Sequence, residues 1–273
     1  MQLINFLTEP LSHTFMQHAL LSSVVVGAVC AVLSCFVVLK GWSLMGDAIS
    51  HAVFPGVIVA FWVGLPMSLG AFVAGLLCAI SVGFLKNNTR IKEDTLMGIV
   101  FAGMFAVGLV MFTKIDTDQH LKHILFGNLL GISREMLVQT MMICGVILGA
   151  VLLKGKDLLL YCFDPSHARV AGLSPKTLHY GLLILLCATI VVAMSAVGVI
   201  LVVAMLISPG ITAFVLCRRF YTMLAMAVAS SCLTSFLGVI LSYHLDSATG
   251  ATIVLLQAVV FVLAVVVAKA KHQ

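Results

Sequence analysis

Nine apolar segments, at roughly 17–39, 46–63, 67–85, 95–113, 136–153, 177–193, 196–216, 221–243 and 250–268, follow one another along this chain with only short polar connections between them. Each is near the ~20 residues that cross a bilayer as a helix. Inside hydrocarbon every backbone N–H and C=O must be paired within the protein, so segments of this length and composition are read as α-helices. A soluble globule is excluded, because 62% of residues are hydrophobic and only 9% charged, at a mean hydropathy of +1.20. The chain is therefore expected to be an all-α polytopic membrane protein, a single transmembrane domain over residues 1–273 with no polar block left over. Segments two and seven contain proline and segment two is short, so the count is eight or nine.

The formal net charge of +5 would point to nucleic acid in a soluble protein. Here the basic residues fall in short connections, so the partner is the lipid bilayer and no nucleic acid is expected. With the C-terminus placed in the cytoplasm, the inner connections are 40–46, 86–94, 154–176, 217–220 and the tail. They hold Lys40, Lys86, Arg90, Lys92, Lys154, Lys156, Arg169, Lys176, Arg218, Arg219, Lys269 and Lys271, which is 12 of the 15 basic residues. Lys114, Lys122 and Arg134 are left outside. This asymmetry puts the N-terminus on the extracytoplasmic side. The first 20 residues have no Lys or Arg, so the basic start of a secretory signal peptide is missing.

Within this hydrocarbon, the stretch Gly46-Asp47-Ala48-Ile49-Ser50-His51-Ala52-Val53-Phe54-Pro55-Gly56 places an acid and an imidazole four residues apart. Asp47 and His51 then share one helical face and are candidate ligands for a single ion. Charged residues cost about 2.5–3.5 kcal/mol at the centre of a membrane helix and usually mark ion pathways. The alternative is a helix start at the interface, with Asp47 as its N-terminal cap and His51 reaching to the headgroups. Pro55 cannot bond the carbonyl of His51, so a helix break beside the pair is expected, with that carbonyl as a third oxygen ligand. Pro209, in Ile207-Ser208-Pro209-Gly210, predicts a second break by the same logic. A tolerated kink relieved by Ser208 is the other reading.

Other reactive side chains are weaker candidates. The eight cysteines include no Cys-x-x-Cys pair and read as small hydrophobic filler. Met97, Met104 and Met111, seven residues apart, read as a packing seam rather than a thioether path for copper. The outer connection carries Asp116, Asp118, His120 and His123 at the presumed entry, where they either hand metal inward or face solvent and a partner. His13 and His18 are expected at the outer interface, and His179 as a cap near an inner helix end.

The longest inner connection holds a short helix. In Phe163-Asp164-Pro165-Ser166-His167-Ala168-Arg169-Val170-Ala171-Gly172-Leu173, Asp164 suits the N-cap, Pro165 the first helical position and Gly172 the left-handed stop. With this block, the chain resembles the membrane permeases of bacterial ABC importers for divalent metals. Four blocks carry the resemblance in order: Gly46–Ala52 followed by Pro55-Gly56, then Leu125–Gly131, Phe163–Leu173 and Pro209–Ala213, in register from about Pro10 to Val267. Gly210 departs from the alanine usual after this proline.

The resemblance implies that Asp47 and His51 ligate metal on the translocation path. It also implies that the loop with Asp164, Pro165, Ala168, Arg169 and Gly172 docks on an ATPase. Permeases of this family work in pairs, identical or paralogous, on two ATP-binding subunits, and receive metal from an extracytoplasmic binding protein. No permanently bound cofactor is implied, since the metal is the substrate. The wording Asp-Ala-Ile-Ser-His-Ala-Val-Phe-Pro resembles the manganese and iron branch, and zinc also suits imidazole. The implied location is the bacterial inner membrane.

Three function classes are compared. An ATP-driven permease needs no nucleotide site of its own, and Gly-x-x-x-x-Gly-Lys-Ser/Thr does not occur here. An ion-coupled secondary carrier explains the intramembrane acid but not the capped inner helix. An intramembrane metalloenzyme would need three ligands and a base, and His-Glu-x-x-His is absent.

Overall fold

The computed structural model describes residues 10, 12–42, 44–114 and 129–271. The described residues form helices α1 (Thr14–Lys40), α2 (Met45–Val63), α3 (Met67–Asn88), α4 (Glu93–Phe112), α5 (Arg134–Phe163), α6 (Pro165–Val170), α7 (Pro175–Val197), α8 (Val199–Leu216), α9 (Phe220–His244) and α10 (Thr249–Lys271). A 3₁₀ turn at Leu129–Gly131 precedes α5. Nine helices among the described residues are long and apolar enough to span a membrane. All nine expected segments are therefore present, including the two with proline.

The chain divides into two compact units, residues 1–38, 123–149 and 193–273, and residues 39–122 and 150–192. In the second unit α2 and α3 form a hairpin whose turn is built by Gly64, in the left-handed region at φ 76°, followed by Pro66 at the N-cap of α3. The two helices approach backbone to backbone. A Cβ on Gly56 would strike the Gly70 carbonyl and one on Gly70 the Gly56 carbonyl, with Ala60 and Ala74 flanking the contact. Small residues four apart on both helices are what such close packing requires in lipid, where burying apolar side chains brings no gain over lipid contact. In the first unit α8, α9 and α10 pack on one another, and Ser231 on α9 donates a hydrogen bond to the Gly27 carbonyl of α1 at 2.9 Å.

Two expectations are corrected. The helices are not broken at Pro55 and Pro209: α2 and α8 each run continuously with the proline inside, and both prolines are buried. A proline costs a helix about 3 kcal/mol and removes one hydrogen bond, and here close packing around each ring keeps the helix intact. The connection expected at 154–176 is shorter, because α5 continues to Phe163. Leu158 and Tyr161, three apart on this extension, are buried, and that packing holds the last turns in helical form.

Candidate metal site and inner helix

Asp47 lies in the first turn of α2 and His51 one turn further on. Their side chains meet, with His51 Nε2 3.3 Å from Asp47 Oδ1, and are 38% and 36% exposed respectively, so the pair is fixed yet open on one side. Asp47 is not a cap: Leu44 occupies that position and no side chain caps the helix. At metal–ligand distances of about 2.0–2.2 Å, a 3.3 Å separation of donors corresponds to an angle of roughly 100° at a shared cation. That lies between octahedral and tetrahedral geometry, so one carboxylate oxygen and one imidazole nitrogen can grip a divalent ion together. Among the described residues no group of three or more His, Cys, Asp or Glu comes together. Asp47 and His51 are thus a pair of candidate ligands rather than a complete set among the described residues.

The wall behind the pair comes from α4. Phe101 stacks on the His51 ring with centroids 5.8 Å apart and planes at 26°, and Phe105 meets it edge-on at 5.3 Å and 72°. Phe54, one turn below His51, packs against Phe105 and Phe112. Phe101, Phe105, Gly108 and Phe112 are four, three and four residues apart, one helical face that the sequence displays but that aromatic residues in an apolar helix do not make conspicuous. The methionine seam does not define this contact: Met97 is buried, and Met104 and Met111 are half-buried.

Pro55 stands one turn below His51, and Gly108 is what lets α4 come close to it. A Cβ on Gly108 would lie 2.7 Å from Phe54 Cδ1 and 3.0 Å from the Pro55 nitrogen. Pro209 is accommodated differently, by Ser34 of α1, whose hydroxyl accepts the Gly210 N–H and donates to the Ile207 carbonyl. Sequence reasoning gave no signal for Ser34, since its partners are more than 170 positions away.

The inner helix is formed as expected. Asp164 Oδ1 accepts from the backbone N–H of Ser166 at 2.8 Å and of His167 at 3.1 Å. Pro165 is the first helical residue. Gly172 takes φ +81°, and the Gly172 and Leu173 N–H groups bond the Arg169 and Ala168 carbonyls, a complete Schellman stop. Ala168 is fully buried while Arg169 and Val170 are exposed. A cleft of about 510 Å³ adjoins it between α5 and α7, lined in part by Lys154, Asp157, Gly172, Ser174 and Thr177.

Of the remaining candidates, Asp116, Asp118, His120 and His123 lie outside the described residues, as do residues 125–128 of the second resemblance block. His179, expected as a cap, lies in the second turn of α7. Its Nδ1 is 2.9 Å from the Tyr161 hydroxyl and its ring edge packs on Trp42. All eight cysteines are free, six buried and two half-buried, in keeping with filler.

Comparison with known proteins places this geometry in context. The model of the ABC 3 transport family matches residues 12–268. The chain is 60% identical over 264 residues to the chelated iron transport system membrane protein YfeD of Yersinia pestis, covering 97% of this chain and 89% of that protein. It is 49% identical over 262 residues to the manganese transport system membrane protein MntB of a Synechocystis strain, covering 96% and 86%. The solved structure of PsaBC from Streptococcus pneumoniae in complex with Fab superimposes with a TM-score of 0.85 at 38% identity, covering 96% of this chain and 95% of that one.

Proposed function

The chain belongs to the ABC 3 transport family, and from that premise we propose that Asp47 and His51 hold the transported metal as it passes. The chain is the membrane-spanning permease subunit of an ATP-binding-cassette importer for iron or manganese, and ATP hydrolysis belongs to a separate subunit. This sets aside the secondary carrier and the metalloenzyme.

The observation that supports the site is the 3.3 Å approach of Asp47 Oδ1 and His51 Nε2 on one open face of α2. A carboxylate with an imidazole suits manganese and iron, and accepts zinc as well. Two ligands per chain hold an ion loosely enough to release it, and a second permease subunit, identical or paralogous, brings its own pair. The whole of residues 1–273 acts as one permease domain. Metal arrives from an extracytoplasmic binding protein. The helix Pro165–Val170, carrying the exposed Arg169 and Val170, docks on one subunit of an ATP-binding pair.

The test is uptake of manganese, iron and zinc by the complete complex reconstituted in vesicles, with Asp47→Ala and His51→Ala beside the unaltered chain. Each substitution is expected to abolish uptake while the subunits still insert and assemble. Unaltered uptake in both variants would remove the pair from the path.

A further inference from the structure

We propose that Phe101 and Phe105 of α4 are positioning residues for His51, holding its imidazole so that Nε2 faces Asp47 and closing that side of the pair to solvent. The inference rests on the reading of Asp47 and His51 as metal ligands.

The second side-chain torsion of a histidine is broad, so an imidazole on an open helix face samples many orientations. Two rings in different planes remove that freedom. Phe101, nearly parallel to the imidazole at 26°, fixes its plane, and Phe105, at 72°, stands in the way of rotation within the contact. Both centroid separations, 5.8 and 5.3 Å, lie in the favourable range for aromatic pairs.

Phe105 is itself held in place. Phe105 and Phe112 both pack on Phe54, at 5.6 and 5.9 Å, and Gly108 sits against Phe54 and Pro55 with no room for a side chain. Helix α4 is thereby locked in register against α2 along one face. The imidazole Nε2 is left facing Asp47 Oδ1 at 3.3 Å. A ligand set in advance at the angle its metal needs loses little freedom on binding, and groups that orient a histidine ligand are worth about 10–100-fold in metal affinity.

The test is manganese-dependent uptake by the complete reconstituted complex carrying Phe101→Ala, Phe105→Ala, Phe105→Leu, Phe105→Tyr or Phe112→Ala, with bound Mn²⁺ followed by its paramagnetic resonance signal. Phe101→Ala and Phe105→Ala are expected to raise the half-saturating manganese concentration about tenfold or more, with the maximal rate much less affected. Phe105→Leu, which keeps bulk without the ring, should behave as Phe105→Ala does and replaces it if the alanine variant fails to assemble. Phe105→Tyr restores the unaltered value. Phe112→Ala, whose ring packs on Phe54 one step removed from the imidazole, has a smaller effect than either. Unaltered manganese dependence in the Phe101 and Phe105 variants, or an equal loss in Phe112→Ala, overturns the inference. If Asp47→Ala and His51→Ala still abolish uptake in that case, the metal site stands without its aromatic clamp. If they too are without effect, the site itself is misassigned.

Discussion

Ser34 Oγ on α1 accepts the backbone N–H of Gly210 on α8 at 2.9 Å and donates to the Ile207 carbonyl at 3.3 Å. The two bonds bracket Pro209 on the Ile207 carbonyl and the Gly210 N–H rather than on the Met205 carbonyl that loses the proline's donor. This contact also requires glycine at 210, where a Cβ would collide with the Ser34 hydroxyl and press on the Ser34 backbone carbonyl.

Gly210→Ala is therefore expected to destabilise the protein by about 1–3 kcal/mol through overpacking. Ser34→Ala loses both interhelical hydrogen bonds, each worth about 0.6 kcal/mol on average in membranes. The double variant should be more stable than the sum of the two losses implies, because removing the hydroxyl relieves part of the collision. Thermal unfolding in detergent of all four proteins measures the coupling. Strict additivity would mean the two residues do not touch.

At the α2–α3 contact the constraint is harder, since the collision is between backbones. Gly56→Ala and Gly70→Ala each place a methyl group on the opposing carbonyl, and only helix separation relieves that. Gly103→Ala meets no other atom within 4 Å and exchanges glycine for a better helix former, worth up to about 1 kcal/mol in its favour. The expected order of melting temperature is Gly103→Ala at or above the unaltered protein, with both hairpin variants well below it. A hairpin variant as stable as the parent would show the helices pack further apart.

How far the sequence reaches is seen in these residues. The nine spans and the Asp47–His51 face were legible because hydropathy and a four-residue spacing are properties of one segment. The cap at Asp164 and the stop at Gly172 were legible for the same reason. The fate of the prolines was not. Whether Pro55 or Pro209 breaks a helix is decided by what packs against it, Gly108 in one case and Ser34 in the other, and neither neighbour is local in sequence. The extension of α5 past 153 was hidden by charge: Lys154, Lys156 and Asp157 look like a connection until Leu158 and Tyr161 are seen to be buried. The aromatic wall behind His51 lay in plain periodicity, but an apolar stripe in a membrane helix does not announce which face meets a ligand and which meets lipid.

Nine helices among the described residues are long and apolar enough to span a membrane, and if each crosses once the odd number predicts ends on opposite sides. The expected grouping of 12 of the 15 basic residues on one side predicts which end is cytoplasmic. A tag after Gln273 is expected in the cytoplasm and a tag before Met1 outside, both positions lying beyond the described residues. Protease protection in oriented vesicles checks this. Two tags on the same side would mean that one of the nine helices does not cross.

The inner helix gives the sharpest test of how hydrolysis reaches the metal path. The Ala168 N–H bonds the Asp164 carbonyl at 3.0 Å, its own carbonyl receives Leu173 at 3.0 Å, and its side chain is fully buried. Ala168→Pro removes the first bond and sets a ring against the turn before it, at a cost of about 3 kcal/mol to a helix of six residues. Asp164→Ala is milder, about 1 kcal/mol for a lost N-cap. If this element moves as a rigid body when the ATP-binding pair closes, Ala168→Pro should weaken association with the ATPase or separate hydrolysis from uptake. Asp164→Ala should do so partially, and Mn²⁺ should still bind at Asp47 and His51 in both. Co-purification, ATPase activity and manganese uptake measured on one preparation decide it. Normal assembly with normal transport in Ala168→Pro would reduce the helix to a connector and send the search for the coupling contact to the other connections expected on that side, at 40–46, 86–94 and 217–220, and to the tail.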